Sequence, residues 1–209
     1  MREEPIVRAR KPSGDPVKFD ITQRAPAMEA LIAKTTNRRH LAILENYRRH
    51  AILEVCGLYE GILAPDMIVP HPVYRFHTPK GTRIIDGMAA VRAEYESYEA
   101  QNTTVIYHTQ EHTAVNDDGL YAEYVSHRFW PGKILAAQGD DISDPDAMHM
   151  VTLTQAMYWP YDDDARVIEE RVYRGNDRKV VRCEPDEVIT VQECRDKLLP
   201  LLRPVASPH

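Results

Sequence analysis

Apolar residues recur at steps of three or four along the segment that begins after Asn37. Leu44, Tyr47, Ala51 and Val55 fall on one face of a helix with this spacing. Asn37 is a suitable N-cap for that helix. The sequence therefore predicts a long amphipathic helix that begins after Asn37 and carries Tyr47 on its apolar face.

The rest of the chain is dominated by alternating apolar and polar residues, which are typical of strands. A second helix is predicted over residues 88–101 and a third over residues 191–202. The cluster Asn116-Asp117-Asp118-Gly119 lies between two alternating segments and predicts a β-hairpin. Because the helices and strands are segregated along the chain, the pattern favours an α+β fold over a parallel α/β sheet. The predicted strands are MIVPHPVYRFH, RIID, TTVIYHTQEHTAV, LYAEYVSHRFW, MVTLTQAMYW and ARVIEERVYR.

The same pattern divides the chain into three parts. Residues 1–36 are polar and interrupted by prolines, which predicts an N-terminal arm with one helical turn around residues 28–33. Residues 37–180 form the predicted domain, with a loop insertion at residues 131–150 that is long enough to act as a lid. Residues 181–209 are predicted to form a C-terminal helix and tail.

Composition narrows the classes of function. The formal net charge of -6 disfavours nucleic acid or a membrane surface as a partner, since both select a basic face. No stretch is apolar over 18 residues, so no transmembrane helix or signal peptide is expected, and a cytoplasmic location is predicted. The 3 cysteines are too few and too irregularly spaced for a disulfide framework.

Two groups suited to proton transfer stand near the first predicted strand. Tyr47 carries a phenol on the apolar helix face, and His71 precedes the strand within a Pro-His-Pro sequence. A histidine with its ordinary pKa is mostly neutral at pH 7 and can accept a proton. We therefore expect both side chains to face one apolar cavity.

The order of these segments resembles the NTF2-like superfamily, which includes ketosteroid isomerases, SnoaL-like polyketide cyclases and several dehydratases. The resemblance is carried by GILAPDMIVPHPV ahead of RIIDGMAAVRAEYESY, and by VIEERVYR after a polar hairpin. It covers roughly residues 38–175 without residues 131–150. It implies a cone in which a curved antiparallel sheet is wrapped by N-terminal helices. A homodimer and a small apolar or aromatic substrate are also implied, with no cofactor.

The ketosteroid isomerase pattern can be laid over the chain residue by residue. Tyr47 takes the place of the tyrosine that donates to the developing oxyanion. His71 takes the place of a carboxylate base, which is a departure from the pattern. Gln155 falls near the second oxyanion donor, an aspartic acid in that family, and can donate a hydrogen bond without acting as an acid.

The sequence His108-Thr109-Gln110-Glu111-His112 matches the H-x-x-E-H pattern of certain zinc peptidases. That chemistry requires a helix, whereas the β-branched surroundings favour a strand, in which the two histidines stand about 13 Å apart. We therefore predict no metal site. On a strand His108 and His112 share a face with Ile106 and Ala114, which makes His108 a candidate for the cavity.

Other candidates depend on which strand face is buried. His127 enters the cavity if Val125 and Phe129 do, but lies in solvent if Tyr124, Ser126 and Arg128 face inward. In the last strand Ile168, Glu170 and Val172 form the more apolar face. Burial there would raise the pKa of Glu170 and suit it to proton transfer, and the alternative is a charge paired with Arg171 or Arg92. The side chains of Tyr74, Met157 and Trp159 are either cavity walls or plain core.

These residues and the resemblance together predict a cofactor-independent lyase of dehydratase type, acting on a small hydroxylated cyclic or aromatic substrate. His71 would remove a proton, Tyr47 would stabilise charge on oxygen, and Glu170 or His108 would protonate the leaving group. Three alternatives stay open: an isomerase, a lyase that releases formaldehyde from a lignin-derived diaryl diol, and a non-catalytic binding module.

Overall fold

The computed structural model describes residues 18–205 and 207–209. Most of the predicted arm, residues 1–17, therefore lies outside the described part of the chain. The helices are α1 (Pro26–Lys34), α2 (Arg38–Val55), α3 (Tyr59–Ile62), α4 (Met88–Ala100), α5 (Gly132–Ala137) and α6 (Val191–Leu198), with short 3-10 turns at Ile21–Gln23 and Leu199–Leu201.

One seven-stranded sheet forms the second layer. Its strands are β1 (Ile68–Thr78), β2 (Gly81–Asp86), β3 (Ile106–Val115), β4 (Gly119–Pro131), β5 (Met148–Pro160), β6 (Val167–Arg174) and β7 (Lys179–Arg182). They lie in the order β2-β1-β6-β5-β4-β3, and β7 pairs with the first part of β5. All pairs are antiparallel except β1 with β6, which is parallel.

Helix α2 forms as predicted and is buried along most of its length. The side chain of Asn37 accepts a hydrogen bond from the backbone N–H of His40 at 3.1 Å, which satisfies one of the free donors at the helix N-terminus. The apolar face of α2 packs with α4 against one face of the sheet, here called the inner face, in the largest cluster of buried residues. The predicted α+β cone, with a curved, antiparallel-dominated and unclosed sheet, is confirmed.

The predicted hairpin is also confirmed. The side chain of Asn116 accepts hydrogen bonds from the backbone N–H groups of Asp118 and Gly119, each at 3.0 Å. Gly119 is required here, because a Cβ at that position would lie 2.1 Å from the carbonyl oxygen of Trp159 on the neighbouring strand.

Three features differ from the sequence-based expectations. The single helical turn expected around residues 28–33 of the arm is a longer helix, α1, and its Met28 and Ile32 are buried. The predicted loop at residues 131–150 contains α5 and the start of β5, and Leu135 of α5 packs on Val151 and Leu153. Strand β7 was not predicted at all.

No helix among residues 18–205 and 207–209 combines the length and the apolar character needed to cross a bilayer. The domain boundaries, the homodimer and the cytoplasmic location stay predictions.

Candidate active site

A small cavity lies between the helices and the inner face of the sheet. Its volume is about 50 Å³, which accommodates only a few water molecules. Helices α2 and α4 form one wall, and the strands β1, β3, β4, β5 and β6 form the other. The lining residues are Arg24, Tyr47, His50, Ala51, Glu54, Tyr74, Phe76, Tyr95, Tyr98, Ile106, His108, Tyr124, Arg128, Gln155, Met157, Trp159, Glu170, Val172 and Arg174.

Helix α2 presents three chemically active side chains to this cavity. Tyr47, His50 and Glu54 are spaced by three and four residues, so they lie one above another on the same helix face. The ring of Tyr47 meets Trp159 edge to face, with centroids 5.3 Å apart. Because its hydroxyl forms no hydrogen bond with the described residues, it is free to donate to a bound molecule.

Glu170 is the central carboxyl group of the cavity. It is 6% exposed, and its Oε1 has no hydrogen-bond partner among the described residues. Burial, and then the nearby charge of Glu54, raise the pKa of Glu170 well above its ordinary value, while hydrogen bonding from Tyr74 and Tyr95 opposes the shift. Burial therefore favours the protonated form of Glu170, the form that can act as an acid.

A short chain of hydrogen bonds runs beside Glu170. The hydroxyls of Tyr74 and Tyr95 are 3.2 Å apart, and the Tyr95 hydroxyl lies 3.0 Å from Nε2 of His50. That nitrogen is also 3.6 Å from Oε1 of Glu170. Burial, and then the charge of Arg24, lower the pKa of His50 to about 3. Since burial favours the neutral form of both groups, His50 and Glu170 are neutral neighbours and not an ion pair.

His108 brings a second neutral imidazole to the cavity from β3. It is 6% exposed and stacks on the ring of Tyr124, with centroids 3.7 Å apart. Burial, and then the charges of Arg24 and Arg128, lower its pKa well below the ordinary value. Its Nδ1 has no hydrogen-bond partner among the described residues, so the ring can exchange a proton with a bound molecule.

A bulge in β3 interrupts the alternation of the strand after His108. Gln110 has a φ of 53°, and the pairing of β3 with β4 shifts between Thr109 and His112. The extra residue reverses the alternation, because each residue beyond it points to the opposite face. The prediction that His112 shares a face with His108 is therefore wrong: His112 is exposed, and Glu111 occupies a part-buried position instead.

The prediction that His71 shares the cavity with Tyr47 is wrong. The His71 side chain is 74% exposed, and its Nε2 lies 2.8 Å from Oδ1 of Asp86. The register of β1 shifts between Ile68 and Val73, and beyond this irregularity Tyr74 and Phe76 point to the cavity. The alternation from Tyr74 backwards leaves His71 on the outer side of the sheet, beside Gly87.

His127 is also outside the cavity, although it is buried at 1% exposure. The residues that face inward on β4 are Tyr124 and Arg128. The expectation that His127 would then lie in solvent is wrong, because its nitrogens lie 2.8 Å from the Thr109 hydroxyl and 3.2 Å from the Thr152 hydroxyl, under the ring of Phe19.

The remaining predicted residues line the cavity. They are Tyr74, Gln155, Met157 and Trp159. Gln155 is 1% exposed; its Oε1 accepts from Nη2 of Arg128 at 3.3 Å, and its Nε2 has no partner among the described residues. The donor role that the resemblance implies for Gln155 stays a prediction.

Several residues of the cavity were not predicted from the sequence, among them His50, Glu54, Arg24 and Arg174. His50 and Glu54 could have been found, since each lies on the same helix face as Tyr47. Arg24 was assigned to the arm; it donates to the carbonyl oxygen of Ala51 and is 5% exposed. Arg174 ends β6, two positions beyond Val172, and gave no distinctive signal.

Within the described ranges, no three His, Cys, Asp or Glu side chains are grouped closely enough to hold a metal ion. The H-x-x-E-H segment forms a strand, with His108 and His112 on opposite faces. The two imidazoles therefore do not converge on one metal.

No protein-family model matches the sequence, and no curated protein sequence matches it. Several solved structures are similar in architecture. A candidate SnoaL-like polyketide cyclase from Jannaschia sp. CCS1 has 14% identity and a TM-score of 0.49, over 68% of this chain and 90% of that chain. An NTF2-like protein from Anabaena variabilis ATCC 29413 has 12% identity and a TM-score of 0.47, over 68% and 92%.

The epoxide hydrolase/cyclase-like enzyme SalBIII, described for pyran ring formation in the polyether salinomycin, has 19% identity and a TM-score of 0.42, over 68% of this chain and 95% of that chain. Identities this low and TM-scores below 0.5 carry no information on activity. The α+β cone follows from the topology of the sheet and helices described above, and any activity must be argued from the cavity.

Proposed function

We propose that this protein is a cofactor-independent lyase of dehydratase type, acting on a small hydroxylated cyclic or aromatic substrate. The observation that carries the proposal is Glu170, a buried carboxyl group on the cavity wall whose Oε1 has no hydrogen-bond partner among the described residues and whose protonated form is favoured by burial. A protonated carboxyl at neutral pH is suited to deliver a proton to a leaving hydroxyl group.

His108 takes the role of the base in this proposal, in place of His71. Its neutral imidazole removes a proton from a substrate carbon, the carbon–oxygen bond breaks, and Glu170 gives its proton to the departing oxygen. The products are water and an unsaturated compound, and proton transfer from the His108 imidazolium to the Glu170 carboxylate restores the enzyme. The hydroxyl of Tyr47 donates to the oxygen on which negative charge develops.

The cavity must widen when substrate enters, since small-molecule sites usually have volumes of about 300–1,000 Å³. Its walls are otherwise suited to a ring-shaped molecule. Tyr124 and Trp159 offer aromatic faces, and Met157 adds an adaptable thioether beside the Tyr124 hydroxyl, at 3.6 Å.

An isomerase is the second candidate, and a specific observation favours it. Tyr47 and Glu170 are two hydrogen-bond donors on one cavity, and such a pair stabilises an enolate. Ketosteroid isomerase combines a tyrosine with a protonated acid in this way. An isomerase returns a product of unchanged mass, whereas a dehydratase returns one that has lost water.

The test is a screen of hydroxylated ring ketones and arylpropane diols with the purified protein, followed by mass spectrometry. Loss of water identifies elimination, free formaldehyde identifies the carbon–carbon lyase, and unchanged mass with a new retention time identifies isomerisation. Glu170→Gln is expected to lower the rate by about 10²–10⁴-fold, the range of a general acid.

The matched control is Glu169→Gln. Glu169 is the preceding residue of β6, but it is bonded to Arg75 and Arg171 and does not line the cavity. This control is expected to keep the wild-type rate. Equal rates for Glu170→Gln and the wild type would exclude Glu170 as the acid and would leave the binding module as the better description of the cavity.

A further inference from the structure

A second, wider cleft adjoins the cavity on its outer side. Its volume is about 410 Å³, and Trp130, Val151 and Leu153 form its apolar wall. Arg128 and Arg174 line both the inner cavity and this outer cleft, so the two guanidinium groups lie at the junction between them. A molecule that extends from the cleft into the cavity must pass these two side chains.

Neither guanidinium group is held by a carboxylate. Arg128 donates to the Oε1 of Gln155, which is uncharged, and Arg174 lies over the ring of Phe76 at 5.2 Å. The Nε of each is buried with no acceptor among the described residues. No ion pair joins either side chain to a carboxylate in the described part of the chain.

A third arginine of the same cleft is paired with a carboxylate, unlike Arg128 and Arg174. Arg178 is bonded to Asp140 through two parallel hydrogen bonds of 2.6 and 2.7 Å. An exposed guanidinium is therefore paired, whereas two less exposed ones are left without a bonded counter-charge. Both Arg128 and Arg174 are half-buried. Partial removal of a charge from water without a bonded counter-charge is costly, so an anion bound at this junction would be stabilised.

The two charges also act on each other. Burial, and then the neighbouring charge of Arg128, lower the pKa of Arg174 to about 10. Arg174 remains protonated at neutral pH, so the repulsion persists until an anion is bound. Two neighbouring guanidinium groups match the two oxygens of a planar carboxylate.

The geometry points to a substrate that carries a carboxylate, bound between Arg128 and Arg174. Its apolar part lies along Trp130, Val151 and Leu153, and the end that reacts enters the inner cavity. This inference rests on the proposed function for the fate of the reacting end, but the binding of the carboxylate can be tested without turnover.

The experiment compares acids with their neutral amides as unreactive probes. Benzoate, 3-phenylpropionate and cinnamate are titrated into the purified protein by calorimetry at pH 7 and low salt, together with benzamide, 3-phenylpropanamide and cinnamamide. At least one acid is expected to bind about tenfold or more tightly than its amide, since hydrogen bonds to a charged group are the stronger ones. Equal affinities in all three pairs would overturn the inference.

Three variants make the result specific. Arg128→Gln and Arg174→Gln are each expected to remove about tenfold of the affinity for the acid and leave the affinity for the amide unchanged. Arg182→Gln is the control, because Arg182 is an exposed arginine bonded to Asp144, away from both cavities. An equal loss in the control would assign the effect to net charge and overturn the site.

Further outcomes distinguish a carboxylate from other ligands. They also distinguish a failure of this inference from a failure of the proposed function. Tighter binding of phenyl phosphate than of benzoate would overturn the choice of a carboxylate. Acid binding that depends on Arg128 and Arg174 but is unaffected by Glu170→Gln upholds the inference even if no substrate is turned over. Turnover of neutral substrates only, with no acid preference, would contradict the inference and leave the proposed function intact.

Discussion

Glu169 and Glu170 are consecutive residues of β6 that are expected to respond to pH in opposite ways. Burial and then the charge of Glu54 raise the pKa of Glu170 above its ordinary value of 4.5. Burial also raises the pKa of Glu169, but hydrogen bonds from Arg171 and Arg75 outweigh it, and the net shift is downward. Replacing each in turn by glutamine isolates its contribution to the stability of the fold.

Proton linkage determines whether the contribution of Glu170 to stability rises or falls with pH. In the unfolded chain Glu170 ionises near 4.5, whereas in the folded protein it stays protonated to higher pH. The wild type therefore loses stability relative to Glu170→Gln as pH rises above 4.5 and until the folded pKa is passed. For one proton the slope is at most about 1.4 kcal/mol per pH unit.

Glu169 supplies the control within the same strand. Its folded pKa lies below 4.5, so the stability that it contributes is present above 4.5 and is lost as pH falls through the folded value. Between pH 6 and 8 it is ionised in both states. The stability difference between wild type and Glu169→Gln should therefore be constant over that interval.

The assay is urea unfolding of the three proteins at pH 5, 6, 7 and 8, monitored by circular dichroism. With slopes of about 1–3 kcal/mol per molar urea, 1.4 kcal/mol moves the midpoint by roughly 0.5–1.4 M. The difference in unfolding midpoint between wild type and Glu170→Gln should increase with pH. The difference between wild type and Glu169→Gln should stay constant. A flat gap for both variants would refute a protonated Glu170.

Two further predictions concern His71 and Tyr95. His71→Ala is expected to change the free energy of unfolding by less than about 0.5 kcal/mol and to leave turnover unchanged. The reason is that His71 is an exposed partner of Asp86. A large loss of turnover in a folded variant would return His71 to the active site. Tyr95→Phe is expected to lower the free energy of unfolding, measured in urea, by about 1–3 kcal/mol. The substitution leaves Nε2 of buried His50 without its hydroxyl partner. No measurable loss of stability would mean that water or Glu170 replaces that contact.

Hydrophobic periodicity was sufficient for most of the fold. The spacing of apolar residues in α2, and the cap at Asn37, depend on neighbours within a few positions, so they can be read from the sequence. The inward position of Glu170 agrees with the alternation from Glu170 through Val172 to Arg174, but Ile168, which was expected on the same face, is exposed.

The errors at His112 and His71 have different causes. The bulge at Gln110 reverses the faces of β3 after His108, and no glycine marks its positive φ. In β1 the burial of Ile68, Pro72 and Tyr74 keeps one alternation, which leaves His71 outside; its place in the cavity was implied by the resemblance and not by the alternation. Arg24 is a different case, because its contact with Ala51 joins segments 27 residues apart, a distance that periodicity does not address.

The proposed elimination requires that the cavity hold a carboxyl group protonated at neutral pH. Carbon-13 NMR of protein labelled at the glutamate carboxyl carbon, recorded from pH 3 to 9, measures this directly, and Glu170→Gln assigns the resonance. One carboxyl signal is expected to titrate well above 4.5 and to be absent from the variant. If the signal lost in the variant titrates near 4.5, Glu170 is an ordinary ionised carboxylate and cannot deliver the proton on which the elimination depends.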